Sequence, residues 1–159
     1  MLVTMNLSAS TLPAGCILRP ATAQDIWAIR KLVLQALLDP TQLRWSQFQV
    51  VECDGQIVAC GQLRSFQGAQ ELGSVVVTPV WRGCGLGTYL VQHLIAAATQ
   101  PLYLECLGPR LASFYARFGF VQVSWRELPH SLKLKFSLSA LAATLLRLPV
   151  ILMQYKTPV

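Results

Sequence analysis

The sequence predicts a mixed α/β chain, a mixed sheet with helices on its faces, and three observations carry that expectation. Phe48 to Cys53 and Gln56 to Arg64 flank Asp54-Gly55, a two-residue turn whose glycine takes the positive φ that a tight hairpin demands. The apolar β-type run Val75-Val76-Val77 passes through a glycine-rich corner into a helical period and then a further strand, which reads as a right-handed crossover. Thr22-x-x-Asp25 is a capping-box-like helix start, the hydroxyl placed to accept from an early helical N–H.

Taken in order, Ile17 to Pro20 is a short strand. The helix after Thr22 carries Ile26, Ile29, Val33 and Leu37 at three- and four-residue spacing and ends at Asp39-Pro40, because the residue before proline avoids the helical region. After the hairpin, the link around Gln67-Gly68 returns the chain into a third strand, Gln70 to Thr78, antiparallel to the second. Leu86, Leu90, Leu94 and Ala97 give a helix over Leu86 to Thr99, and Pro101 restarts the chain as strand Leu102 to Cys106. Pro109 suits a first helical turn, Leu111, Phe114, Tyr115 and Phe118 share a helical face, and Gly119 stops that helix before strand Phe120 to Trp125. A loop, a helix from about Ser137 to Arg147 and a final strand Val150 to Tyr155 complete the chain. With 159 residues the expected organisation is a loose, flexible tail over residues 1–15 and a single domain over residues 16–159, in which 127–149 is an extended helical connection.

The chain is 53% hydrophobic and 13% charged, which excludes a disordered solvating segment. Thirteen basic residues against seven acidic ones give a net charge of +6, but they are scattered, and neither zinc-finger spacing nor a basic helix interleaved with aromatics occurs; nucleic acid is not an expected partner. The five cysteines lie mostly inside apolar runs and read as reduced thiols of a cytoplasmic protein. Leu12 to Cys16 faintly resembles a lipoprotein cleavage site without the preceding charged and apolar regions. No continuous apolar run reaches the length of a membrane span, the longest being broken by Arg147 and Pro149.

Chemistry concentrates at Arg82-Gly83-Cys84-Gly85-Leu86-Gly87-Thr88. Glycines between a strand and a helix N-terminus let successive backbone N–H groups converge on an anion, and the helix end adds partial positive charge. A phosphate-bearing cofactor is the functional reading, a merely tight turn the structural one. No lysine stands where a P-loop requires it, and the third glycine of a dinucleotide fingerprint falls on Thr88.

Arg82-x-x-Gly85-x-Gly87, following Val75-Val76-Val77-Thr78-Pro79, resembles the acyl-CoA motif of the GNAT-type N-acetyltransferases. Leu18-Arg19-Pro20-Ala21 is similar to that family's opening, and Phe114-Tyr115-Ala116-Arg117-Phe118-Gly119-Phe120 to its tyrosine helix and following strand. The resemblance covers residues 17–126. It implies a mostly antiparallel twisted sheet of about six to seven strands with helices on both faces. It also implies acetyl-CoA as co-substrate, with no metal. Val75, Val76 and Val77 would offer backbone groups to pantetheine, and Gly83, Cys84, Gly85, Leu86, Gly87 and Thr88 would hold the diphosphate, with Arg82 adding charge or anchoring the turn. The asparagine that often follows the next strand is replaced by Gly108-Pro109.

Acetyl transfer needs a neutral amine, and at pH 7 only about one lysine-type amine in two thousand is unprotonated, so a base is required. By position in the family, Tyr115 is the proton donor to the CoA sulfur and a cofactor contact, and Glu71 is the leading base. Glu105, a carboxylate inside the apolar Leu102 to Cys106, is the rival, since desolvation would raise its pKa. Water or no base, and structural ion pairs for either glutamate, stay open. His93 and His130 have no ligand partners at metal spacing.

The expected function is acetyl-CoA-dependent N-acetyl transfer to a primary amine of a small molecule or protein. The alternative is a non-catalytic CoA sensor or partner-binding module of the same fold. A homodimer is compatible with the sequence, and so is attachment to a membrane or an acidic partner through Leu132 to Arg147, where apolar and basic residues mix.

Overall fold

The structure, a computed structural model, describes residues 11–147 and 149–157; of the tail expected over 1–15, residues 1–10 lie outside the described residues. Seven strands hydrogen-bond in one sheet, β1 (Cys16–Pro20), β2 (Phe48–Cys53), β3 (Gln56–Phe66), β4 (Ala69–Val77), β5 (Leu102–Leu107), β6 (Phe120–Gln122) and β7 (Val150–Tyr155), in the order β1-β2-β3-β4-β5-β7-β6. The β1/β2, β2/β3, β5/β7 and β6/β7 pairs are antiparallel and β4/β5 is parallel, as the crossover through a helix requires. The helices are α1 (Ile26–Gln35), α2 (Leu86–Ala97), α3 (Pro109–Ala116) and α4 (His130–Leu146). Two compact units divide the chain: residues up to Gln62 with Ser74–Ala96, and Leu63–Gly73 with the residues from Ala97 on.

In the first unit the hairpin turn is as expected, Asp54 and Gly55 both at positive φ (49° and 80°). Ile29, Leu32 and Val33 of α1 are buried with Phe48, Val50, Cys60 and Val76. Helix α1 begins where Asp25 accepts the Thr22 backbone N–H at 2.7 Å and its hydroxyl at 3.0 Å. Arg19 of β1 donates to both oxygens of Asp25, at 2.8 and 3.1 Å, and through Nε to Glu52 of β2 at 2.7 Å, tying two strands to the helix start. That guanidinium holds the Asp25 carboxyl down at about 2.

The helix ends four residues before Asp39-Pro40. Leu38 N–H bonds to the Val33 carbonyl and Leu37 N–H to Leu34, closing a Schellman-type cap in which Leu37 takes φ +56° and is 91% exposed rather than lying on the apolar face. The reading of all five cysteines as reduced is also corrected: the β1/β2 register sets Cys16 opposite Cys53, 4.0 Å apart at Cα, and they form a disulfide. Cys60 and Cys106 are buried free thiols and Cys84 an exposed one.

In the second unit β7 inserts between β5 and β6, pairing Tyr103 with Gln154 on one side and Phe120 with Tyr155 on the other. Strand β6 stops at Gln122, shorter than expected, because Ser124 opens a 3-10 turn whose Glu127 carboxylate accepts the Ser124 N–H at 2.6 Å. Helix α4 starts at His130, seven residues before Ser137. The Leu132 N–H bonds to the Pro129 carbonyl, and Leu132 and Phe136, one turn apart, pack with Ala69, Tyr103, Val123 and Leu128. Among the described residues no helix is long and apolar enough to cross a membrane.

Two outcomes follow for stability. Because the folded pKa of Asp25 is depressed, its contribution is present above the ordinary carboxylate range and is lost as pH falls from about 4 to about 2. Acid unfolding of Asp25→Asn should therefore start from lower stability at pH 6 and converge on the parent near pH 2, and parallel curves contradict this. Reducing the Cys16–Cys53 bond, which spans 37 residues of sequence, should cost about 3–4 kcal/mol and lower Tm by about 10 °C. A Tm unmoved by reductant, with thiol titration confirming reduction, would refute it.

Candidate functional site

The glycine corner lies in the first unit. After Val77 a 3-10 turn (Pro79–Trp81) leads to Gly83 at φ +81° and Gly85 at φ +83°, conformations that L side chains rarely adopt. The space where a Cβ would project is open at both residues, with no atom within 4 Å. Helix α2 follows at once. Its first intrahelical bond runs from Tyr89 N–H to the Gly85 carbonyl, so the N–H groups of Leu86, Gly87 and Thr88 belong to its free first turn. Leu86, Leu90, Val91 and Leu94 are buried and fix the helix. Gly83, Cys84 and Gly85 are exposed, so the corner presents main chain rather than side chains, and its chemistry suits a diphosphate. Arg82 anchors the turn, its Nε donating to the Val77 carbonyl at 3.1 Å with the rest of the side chain exposed. Val75 and Val77 are half-buried and Val76 buried.

The titratable groups lie in the second unit, where register explains their meeting. Glu71 pairs with Tyr103 in the parallel ladder, and with a period of two Ala69, Glu71, Tyr103 and Glu105 share one sheet face. Helix α4 covers that face through Leu132 and Phe136. Lys135 lies beside them on the helix, three residues after Leu132, and points inward. Its Nζ donates to Oε1 of Glu71 and, at 3.2 Å, to Oε1 of Glu105. From β3, Arg64 Nη1 stands 3.2 Å from the same Glu71 oxygen. The side chains of Glu71, Arg64 and Lys135 are 2, 7 and 10% exposed, so two anions and two cations share a water-poor pocket. Gly73 makes room for them, since a Cβ there would come within 2.5 Å of Arg64 Nη1. Oε2 of Glu71 and Oε2 of Glu105 are buried with no hydrogen-bond partner among the described residues. Burial raises the Glu105 carboxyl above its ordinary value, opposed by the nearby Lys135 charge.

Tyr115 is buried on α3, its ring edge-on to Phe114 at 5.1 Å and to Phe120 at 5.9 Å. Burial keeps its hydroxyl protonated far above neutral pH. Both candidate bases are thus brought to one cation. The sequence reading missed Arg64 and placed Lys135 only in the 127–149 connection, open to shaping the acceptor pocket, packing as core or making a partner surface. A lone charge in the apolar strand around Arg64 was the same signal that singled out Glu105. Lys135 had no such signal while it was assigned to a loop. His93 and His130 are exposed, and no group of three or more potential metal ligands occurs among the described residues.

A family model described as "Acetyltransferase (GNAT) domain" matches residues 44–122. An amino-acid acetyltransferase of Aliivibrio fischeri is 34% identical over 88 residues, 53% of this chain and 20% of that protein. One of Ralstonia nicotianae is 31% identical over 125 residues, 70% of this chain and 28% of that protein. The chain therefore spans between a fifth and a third of the length of these curated relatives. Among solved structures, Rv2747 from Mycobacterium tuberculosis in complex with CoA superposes with TM-score 0.72 at 22% identity, over 89% of this chain and 99% of that one. N-acetylglutamate synthase from Neisseria gonorrhoeae complexed with coenzyme A and N-acetyl-glutamate gives 0.71 at 21%, over 91% and 36%. At these identities the likeness is one of fold.

Replacing Lys135 by Met leaves Glu71 and Glu105 facing each other without their shared cation, and the expected loss is roughly 3–5 kcal/mol at pH 8. The Glu105 pKa, already raised, rises further. Protonation then relieves the repulsion below the new folded pKa, so the deficit against the parent should shrink at pH 5. Equal deficits at the two pH values in thermal melts would count against a shared cation.

Proposed function

The chain belongs to the GNAT superfamily of acetyltransferases, and from that premise we propose that it moves the acetyl group of acetyl-CoA directly to a primary amine, most specifically the α-amine of an amino acid. The observation that carries the reading is the corner of Arg82 to Thr88: two open glycines at positive φ directly before the free first turn of a 12-residue helix. There the backbone N–H groups of Gly83 to Thr88 hold the diphosphate. The edge of Val75 to Val77 pairs with the amides of pantetheine as it would with another strand. Acetyl-CoA supplies an activated thioester, and the acceptor class follows the relatives named amino-acid acetyltransferases.

The protein's own groups handle the protons. Glu71 and Glu105 receive the acceptor ammonium on their unpartnered Oε2 atoms, and one of them takes a proton from it. Lys135 and Arg64 pair with Oε1 of Glu71 and hold that carboxylate in place. The neutral nitrogen attacks the carbonyl carbon, an N–C bond forms through a tetrahedral intermediate and the C–S bond breaks; the departing thiolate takes the proton of Tyr115, and the second proton shed by the attacking nitrogen passes to solvent, from which the Tyr115 oxygen is reprotonated. Burial ensures that the hydroxyl carries its proton when the thiolate forms, and the same burial makes it the weaker acid of the two. One observation favours the non-catalytic alternative, a CoA-binding module: both carboxylates already have a cation of the protein's own.

Titration calorimetry with coenzyme A and thiol release from acetyl-CoA against a panel of amino acids and peptide amines test the proposal. Heat of binding together with thiol release is expected. Tyr115→Phe and Glu71→Gln should each lower kcat by about 10²- to 10⁴-fold while leaving the affinity for coenzyme A within about threefold. A well-folded protein that binds no coenzyme A sinks the reading, and one that binds it tightly without turnover is the sensor.

A further inference from the structure

One side of α4 is committed to its own unit, with Leu132 and Phe136 fully buried and Lys135 turned inward. Another side carries Leu134, Leu138, Leu141 and Leu145, which are 76, 65, 65 and 81% exposed. Their spacing of four, three and four residues is the narrow a/d seam of a helix that packs against another helix, whereas a helix facing only its own core shows one wider apolar arc. Taking about 180 Å² for a fully exposed leucine, the four present roughly 500 Å². Doubled across a two-fold axis, that is about 1,000 Å², the lower limit for a specific interface.

Ser137 and Thr144 stand seven residues apart along one edge of the seam. Each hydroxyl already donates to the carbonyl four residues back, Ser137 to Lys133 at 2.7 Å and Thr144 to Ala140 at 2.8 Å. Both can leave water without orphaning a donor. The seam also avoids charge. With Lys135 turned inward, the other cations of this stretch, half-buried Lys133 and exposed Arg147, lie outside the run of Leu134 to Leu145. A helix that lies on an anionic lipid surface sets lysines and arginines along its apolar face, and this one does not. In a chain of net charge +6, an uncharged face is where two copies can meet with least repulsion.

We propose that α4 is a self-association helix, its Leu134–Leu145 seam packing against the same seam of a second copy of this chain about a two-fold axis. That contact braces from outside the helix that holds Lys135 against Glu71 and Glu105 on the inside. Sedimentation equilibrium of the full chain tests it, beside the Leu138→Glu/Leu141→Glu double variant and the milder Leu138→Ser/Leu141→Ser. The parent should be a dimer, and both doubles should weaken association ~100-fold or more with unchanged far-ultraviolet circular dichroism. If the glutamate pair unfolds the chain, the serine pair carries the measurement. A parent that stays monomeric at ~100 μM, or doubles that dimerise as tightly as the parent, overturns the proposal. So does a monomeric parent that floats with phosphatidylserine–phosphatidylcholine vesicles and loses that property in the doubles, which would make the seam a lipid contact.

Discussion

An ammonium between two carboxylates holds the second unit's chemistry together. Glu71 and Glu105 share one sheet face under α4, and at roughly 5 Å and an effective dielectric near 20 two carboxylates repel by about 3 kcal/mol. Lys135 resolves that conflict from the helix, and Arg64 reinforces it from β3. The helix cannot be removed from this arrangement without exposing a like-charged pair, so a connection that looks like an insertion between two strands is part of the ionic core. In the proposed reaction the two carboxylates of this cluster are the groups that would receive the acceptor amine and its proton.

The first unit solves a different problem with almost no side chains. An anion as large as a diphosphate needs many donors in a small volume, and in the proposed reading main-chain N–H groups at two left-handed glycines and a helix end would provide them without the entropy cost of ordering long cationic side chains. Arg82, the one charged residue in the corner, is bonded to the Val77 carbonyl and shapes the turn. The two units thus differ in physical type, with exposed backbone dipoles in one and buried titratable groups in the other.

Elements set by local rules were legible. The Asp54-Gly55 hairpin, the start of α2 after Gly85 and the range of β7 agree with the chain's own turn chemistry and periodicity, whereas α3 ends at Ala116, three residues before Gly119. Errors came where neighbours overrode local preference. Leu37 has helical spacing yet takes a left-handed cap, because the Schellman bonds of Leu37 and Leu38 close the helix early. The polar stretch at the head of α4 reads as a loop until Leu132 and Phe136 find Tyr103 and Ala69. Cys16 and Cys53 are 37 residues apart, and only the β1/β2 register makes them opposite.

By itself the sequence determined a glycine corner of bare backbone and a glutamate, Glu105, set in an apolar strand, local properties decided by φ preference and by the cost of placing a charge in an apolar run; Tyr115 and Glu71 stood out only through the resemblance to a family. Tertiary structure decided the pairings. That Lys135 rather than water meets both glutamates, that Arg64 completes the cluster, and that α4 turns four leucines outward all depend on strand register and helix placement. These bring together residues 30 to 64 positions apart, a distance over which no periodicity in one chain carries information.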